Sequence, residues 1–119
     1  MVKTEIIQFP NIKGEVTYYI GKSQEENFKV IDMGRDIDLW FHVGNGESSC
    51  HVICVVPEGL TKKQTMTLVK KGGDLCKQNT AKFRGGKSVE IVYSLVKNVK
   101  KTDVLGCVEV YGCGKKIIV

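Results

Sequence analysis

Two short segments rich in β-branched and aromatic side chains, residues 39–43 and 49–56, are separated by Gly44-Asn45-Gly46-Glu47-Ser48. Glycine and asparagine tolerate the positive φ of a tight loop, and the flanking runs suit a pleated sheet, so the unit is expected to be an antiparallel β-hairpin. Strand side chains alternate between faces. Trp40 and His42 therefore share one face, and Leu39, Phe41 and Val43 share the other. On the second strand Ser49, His51 and Ile53 go together, and Cys50, Val52 and Cys54 oppose them. Register decides which sets meet. Pairing Val43 with Ser48 sets His42 opposite Ser49 and Trp40 opposite His51, a polar site with an indole wall. A slip of one residue sets His42 opposite Cys50. The first register is the favoured expectation.

The remaining elements follow from periodicity and punctuation. Ile6, Ile7 and Phe9, then residues 16–20, form a predicted hairpin turned around Pro10 and Gly14. Ser23-Gln24-Glu25-Glu26 has the form of a capping box, which predicts a helix to about Met33 with Asn27, Val30 and Ile31 on one side. Between Thr61 and Thr80, apolar or small residues at 65, 68, 69, 72, 76 and 79 have helical spacing. Gly72-Gly73 inside that helix costs about 1 kcal/mol per glycine, and close approach of the helix to the sheet would offset it. Residues 88–93 alternate as a strand, and residues 106–110 and 115–119 are expected to form a last hairpin through Gly112-Cys113-Gly114. The expectation is an α+β fold: a mainly antiparallel sheet of hairpins with two helices packed on one face. A chain of 119 residues is read as a single domain, residues 1–119.

Charge is unevenly placed. Residues 1–59 hold five Lys/Arg against nine Asp/Glu, whereas residues 60–119 hold thirteen against four. A basic half is either a solvated face or a footprint for a polyanion. The start, Met1-Val2-Lys3-Thr4-Glu5, lacks the apolar core of a signal peptide, and no run reaches transmembrane length. The expected compartment is the cytoplasm, or the nucleus, without membrane insertion. There the five cysteines, an odd number without a C-x-x-C pair, are expected to be small buried hydrophobes.

Several constellations invite chemistry. Trp40 and His42 can stack on a base or sugar, and a protonated histidine can meet phosphate; the competing reading is that Trp40 is core and each histidine a half-buried donor. His42, Cys50, His51 and Cys54 are suitable zinc ligands, but His51 and Cys50 point to opposite faces and no zinc spacing is present, so no metal and no cofactor are expected. Cys or Ser beside a histidine and Asp36 or Asp38 could be a nucleophilic set, though small proteins commonly carry that inventory. Gly21-Lys22-Ser23 lacks the upstream glycine of a P-loop, position 16 being Val16; Lys22 beside a helix N-terminus still suits phosphate. Lys82, Arg84 and Lys87 surround Phe83 in a glycine-containing loop, and Lys97, Lys100 and Lys101 extend the basic half.

The Gly21-Lys22 turn, Glu26-Asn27, the Asp38 to Val43 block, Ser49-Cys50-His51-Val52, Val92-Tyr93, Lys100-Lys101 and Gly106-x-Val108 together resemble the NFACT-R (NFACT RNA-binding) domain family. This is the small C-terminal module of the NEMF and RqcH ribosome-quality-control proteins. The similarity is greatest to the stand-alone eukaryotic, coiled-coil-domain-containing members, and runs from about Tyr18 to Val119. Those members usually continue into a charged helical tail, and this chain ends at Val119.

The resemblance implies an RNA-binding module, for tRNA or ribosomal RNA, linked to translation or ribosome-associated quality control and without catalysis of its own. DNA and ribosome-associated proteins are further candidate partners. The candidate nucleic-acid-binding residues are Lys22, Trp40, His42, Ser49, His51, Lys82, Arg84, Lys87, Lys100 and Lys101. Gly21, Asn27 and Asp38 are candidates for orienting them, Asp38 by bonding the helix N-terminus, Lys22 or a histidine. Two other classes stay open: a protein-interaction adaptor using the Trp40/His42 face, and a small nucleotide- or RNA-processing enzyme.

Overall fold

A computed structural model describes every residue except Gly46, together with every side chain except that of Cys113. Six strands form one wholly antiparallel sheet: β1 (Lys3–Gln8), β2 (Glu15–Gly21), β3 (Leu39–Val43), β4 (His51–Cys54), β5 (Glu90–Leu95) and β8 (Lys115–Ile118), in spatial order β1-β2-β4-β3-β5-β8. Two helices, α1 (Gln24–Met33) and α2 (Lys62–Gln78), pack against it, and β6 (Val99–Lys101) with β7 (Val108–Val110) makes a separate two-stranded hairpin. The class is α+β with a mainly antiparallel sheet, as expected.

The helices do not share a face. Leu68, Val69 and Cys76 of α2 pack with Tyr18, Phe41, Val52 and Ile91, whereas Val30 and Ile31 of α1 pack with Trp40, Ile53, Val96 and Val99. Neighbouring strand positions feed opposite clusters. The reason is topological. Each helix connects two strands that run parallel with one strand between them: β2 to β3 across β4, and β4 to β5 across β3. Both crossovers step the same way across the sheet but leave from strands running in opposite directions. Two crossovers of one hand must then lie on opposite faces.

Local chemistry fixes the helices. Ser23 Oγ accepts the Glu26 amide at 3.2 Å, but the Glu26 carboxylate returns to the Lys22 amide at 2.9 Å, one residue upstream of the reciprocal capping bond. Thr61 and Gln64 complete both halves of a capping box on α2. The glycine pair does bring α2 onto the sheet: a Cβ at Gly72 would lie 2.3 Å from Phe41 Cζ.

The expected last hairpin does not form. Strand β7 pairs with β6, and β8 pairs with β5. Gly112 (φ 75°) and Gly114 (φ 68°) turn the backbone between β7 and β8, so the chain leaves one sheet and joins the other.

Candidate nucleic-acid interface

The β3–β4 register is Trp40 opposite Ile53 and Phe41 opposite Val52. This is two residues from the favoured expectation and one from its alternative. The ladder stops early because the preceding residues bond elsewhere. The Val43 amide donates to Ser49 Oγ (3.0 Å), the Cys50 amide to Thr80 Oγ1 (3.2 Å) and the His51 amide to Asn27 Oδ1 (3.1 Å). A slip of two preserves parity, so Trp40, His42 and His51 still meet on the α1 face. Their rings form one cluster: Trp40 and His42 stack at 5.7 Å and 6°, and each meets His51 edge-on, at 5.3 and 4.8 Å.

Burial divides this cluster. Trp40 is 2% exposed and His51 1%, while His42 is half-buried. Trp40 is thus core as well as cleft floor. Its indole Nε1 donates to His51 Nδ1 at 3.2 Å. Burial, with a small repulsion from His42, pulls the His51 imidazole down to about 3, and burial lowers His42 too. A neutral His51 whose Nδ1 accepts a bond carries its hydrogen on Nε2. The protonated imidazole expected to meet phosphate is therefore not the form His51 takes at neutral pH.

The ring cluster floors a cleft of about 460 Å³, walled by Gln24 and Asn27 at the start of α1, by Gly44, Asn45 and Glu47 to Ser49, and by Leu105 to Val108. The last wall was not foreseen, because it depends on the β6–β7 hairpin; at its tip Gly106 (φ 80°) lies against Gln24, where a Cβ would come within 2.9 Å. A second cleft, about 480 Å³, shares Gln24, Asn27, Ser48 and Ser49 with the first and adds Lys22, Thr80 and Arg84. A third, about 420 Å³, lies beyond the loop with Lys82, Phe83 and Lys87.

Not all the cations are equally free. Lys82 binds Glu47 at 2.6 Å, and Lys101 binds both oxygens of Asp32 at 2.7 Å while lying over Phe28. Lys22, Arg84, Lys87 and Lys100 are exposed and have no carboxylate within 4.0 Å among the described residues. Lys100 and Lys101 sit on β6 and line none of these three clefts.

The orienting candidates separate. Gly21 lets β2 run directly into α1, since a Cβ there would meet Glu26 O at 2.7 Å. Asn27, buried, accepts from the His51 amide and donates to Ser49 O at 3.4 Å, holding the end of β4 against α1. Asp38 holds none of the three groups anticipated for it. Its carboxylate accepts from the Arg35 amide and guanidinium and from the Val56 amide, at the opposite end of β3 from His42. Burial would raise this carboxyl, but those bonds outweigh it and hold it below the usual aspartate range. Ser49 spends its hydroxyl on Val43 N and Cys50 O.

Cys50, Cys54 and Cys76 are buried, as expected of small hydrophobes, and Cys107 is exposed. Cys50 and Cys54 face α2 while His42 and His51 face α1, and no group of three or more His, Cys, Asp or Glu side chains converges among the described residues. Among those residues, no helix is long and apolar enough to cross a membrane.

The family model described as "NFACT protein RNA binding domain" matches residues 6–112. The chain belongs to the NFACT RNA-binding domain family. This NFACT-R domain is 35% identical over 98 residues to a coiled-coil domain-containing protein 25 homolog of Dictyostelium discoideum, a match covering 82% of the chain and 47% of that protein. It is 35% identical over 91 residues to coiled-coil domain-containing protein 25 of Danio rerio, covering 72% and 42%. The chain thus spans less than half the length of these relatives. In fold it is similar to the C-terminal part of the fibronectin/fibrinogen-binding protein of Streptococcus suis, with a TM-score of 0.72 at 20% identity over 87% of this chain and 40% of that one.

Proposed function

We propose that this NFACT-R domain binds RNA along the three joined clefts around the 44–49 loop. The observation that carries the reading is that Lys22 and Arg84, sixty-two positions apart in the sequence, line one cleft without carboxylate partners. Unneutralised cations flanking a groove suit a phosphate backbone. Lys87 continues the positive edge past the loop, and Lys82, tied to Glu47, adds less.

Family membership supports a finer reading. The RNA is tRNA or ribosomal RNA, the setting is translation or ribosome-associated quality control in the cytoplasm or nucleus, and the domain binds without catalysing. His42 and Trp40 shape the site, and Asn27 and Gly21 position its walls.

The test is equilibrium binding of purified tRNA and ribosomal RNA fragments, with duplex DNA as competitor, at several salt concentrations. Affinity falling steeply with salt, together with loss on Lys22→Ala/Arg84→Ala, is the expected result. Binding that ignores salt, or survives the double substitution unchanged, would sink the proposal. Salt-insensitive capture of a protein instead of RNA would favour the adaptor reading.

A further inference from the structure

The cleft over Trp40 and His42 differs from its neighbours in charge. Among the described residues its lining contains no Lys or Arg, and Glu47 is its sole carboxylate, itself bound to Lys82. A cleft of this composition does not attract phosphate. Its floor presents the flat, half-buried ring of His42, stacked on an indole, and Val92, Leu105 and Val108 supply apolar walls.

The most deeply buried polar side chain in it has a donor to spare. His51 is 1% exposed and lines the cleft. Its Nδ1 is occupied by Trp40, and its Nε2–H has no hydrogen-bond partner among the described residues, none of whose fully enclosed side-chain nitrogens or oxygens is left unbonded. It therefore opens towards the cleft. Asn27 is the more committed group, its carbonyl oxygen accepting from the His51 amide and one amide hydrogen going to Ser49 O. The cleft thus offers a planar ring and, beside it, a donor fixed by burial and uncharged, with cation-lined clefts on both sides.

We propose that this cleft receives a single unpaired nucleobase, with His42 against the ring and His51 Nε2–H donating to a carbonyl or ring nitrogen on its edge. The proposal rests on the RNA reading above and adds a substrate class: single-stranded or looped RNA in preference to duplex. A base inside a helix is stacked on both sides and cannot enter a walled cleft, whereas the phosphates of either form can reach Lys22 and Arg84.

The experiment compares three fluorescent probes on the same protein: a short oligo(U) strand, a strand of equal length whose residues are all abasic, and an RNA duplex. The intact strand is expected to bind about tenfold more tightly than the abasic strand. Cys107→Trp, at an exposed position that lines this cleft and neither of the cation-lined ones, should bring the intact strand down to the abasic level and leave abasic binding unchanged. On the unsubstituted protein, the His42 and His51 imidazole nitrogen signals should move with the intact strand and stay still with the abasic one. Equal binding of intact and abasic strands, with salt dependence retained, would overturn the base site and leave the phosphate reading standing. Absence of binding by all three probes at low salt would overturn both.

Discussion

Trp40 and His51, on neighbouring antiparallel strands but not opposite one another, are joined by one hydrogen bond from the indole Nε1 to Nδ1 at 3.2 Å. This bond fixes which His51 nitrogen carries the proton and locks the ring edge that faces the cleft. It also ties the acid stability of the fold to the site.

Native His51 stays neutral down to about pH 3, whereas in the unfolded chain it protonates near its ordinary value of about 6.5. Below that value the unfolded state binds more protons, so stability falls as pH falls; above it, His51 contributes no pH dependence. The slope should approach about 1.4 kcal/mol per pH unit, with His42 adding in the same direction. Urea unfolding between about pH 7.5 and 4.5 checks this in a window above the lowered carboxylates. A flat profile would mean that His51 is not buried neutral.

Removing the donor should be costly as well. Trp40→Phe retains most of the apolar contact but leaves His51 Nδ1 buried without a partner, a loss of about 1–3 kcal/mol. The expected accompaniment is a change in the His51 tautomer, visible in its imidazole nitrogen shifts. An unchanged midpoint and unchanged shifts would remove the bond from any role.

Gly72 is a packing requirement. Alanine there gains about 1 kcal/mol of helix propensity but drives a methyl into the Phe41 ring, which backs onto the central strand and cannot easily retreat. Gly72→Ala should destabilise by about 1–3 kcal/mol net. Gly73→Ala meets the movable end of Ile117 at 2.8 Å and should cost less. Comparing the two midpoints in urea tests the ranking.

Asp38 separates fold from site. Asp38→Ala leaves the Arg35 and Val56 amides without their acceptor and should cost about 2–4 kcal/mol. Because the folded carboxyl is held low, its contribution is present above about pH 4 and is lost as pH falls below that. The salt slope of RNA binding should not change, since Asp38 lies about 13 Å along the strand from His42. A selective loss of RNA affinity at unchanged stability would return Asp38 to the site.

The salt slope should also rank the cations. Lys22→Ala and Arg84→Ala should each reduce it by about 0.7 for single-stranded RNA. Lys101→Ala and Lys82→Ala should do less, because Asp32 and Glu47 already neutralise those amines. Anisotropy titrations over a salt series give the slopes directly, and equal effects at all four positions would contradict the ranking.

How far residues alone could be read depends on the range of the interaction. Alternation placed Trp40, His42 and His51 on one face, and this survived an error of two in register because parity did. The capping-box pattern at Ser23 marked the start of α1, and helical spacing from Thr61 marked α2. The register itself was not legible, since it is set by Asn27 on α1 and Thr80 just past the end of α2, which bond the 49–51 backbone from distant parts of the sequence. The pairing of β8 with β5 rather than β7 was hidden for the same reason. Charge counting found the basic half but could not show that Asp32 and Glu47, in the acidic half, neutralise two of its lysines.

Strand β3 lies between β4, its neighbour in sequence, and β5, which pairs Ser94 with Trp40 across more than fifty residues that include all of α2. The first pairing closes a short loop and the second a long one, so the conformational cost of β3–β5 falls due after the hairpin has formed. Val92, Leu105 and Val108 are all supplied by or after β5. During synthesis from the N-terminus, the Trp40 hairpin is thus complete in outline while its cleft still lacks a wall, and the cleft becomes whole only as the last third of the chain docks.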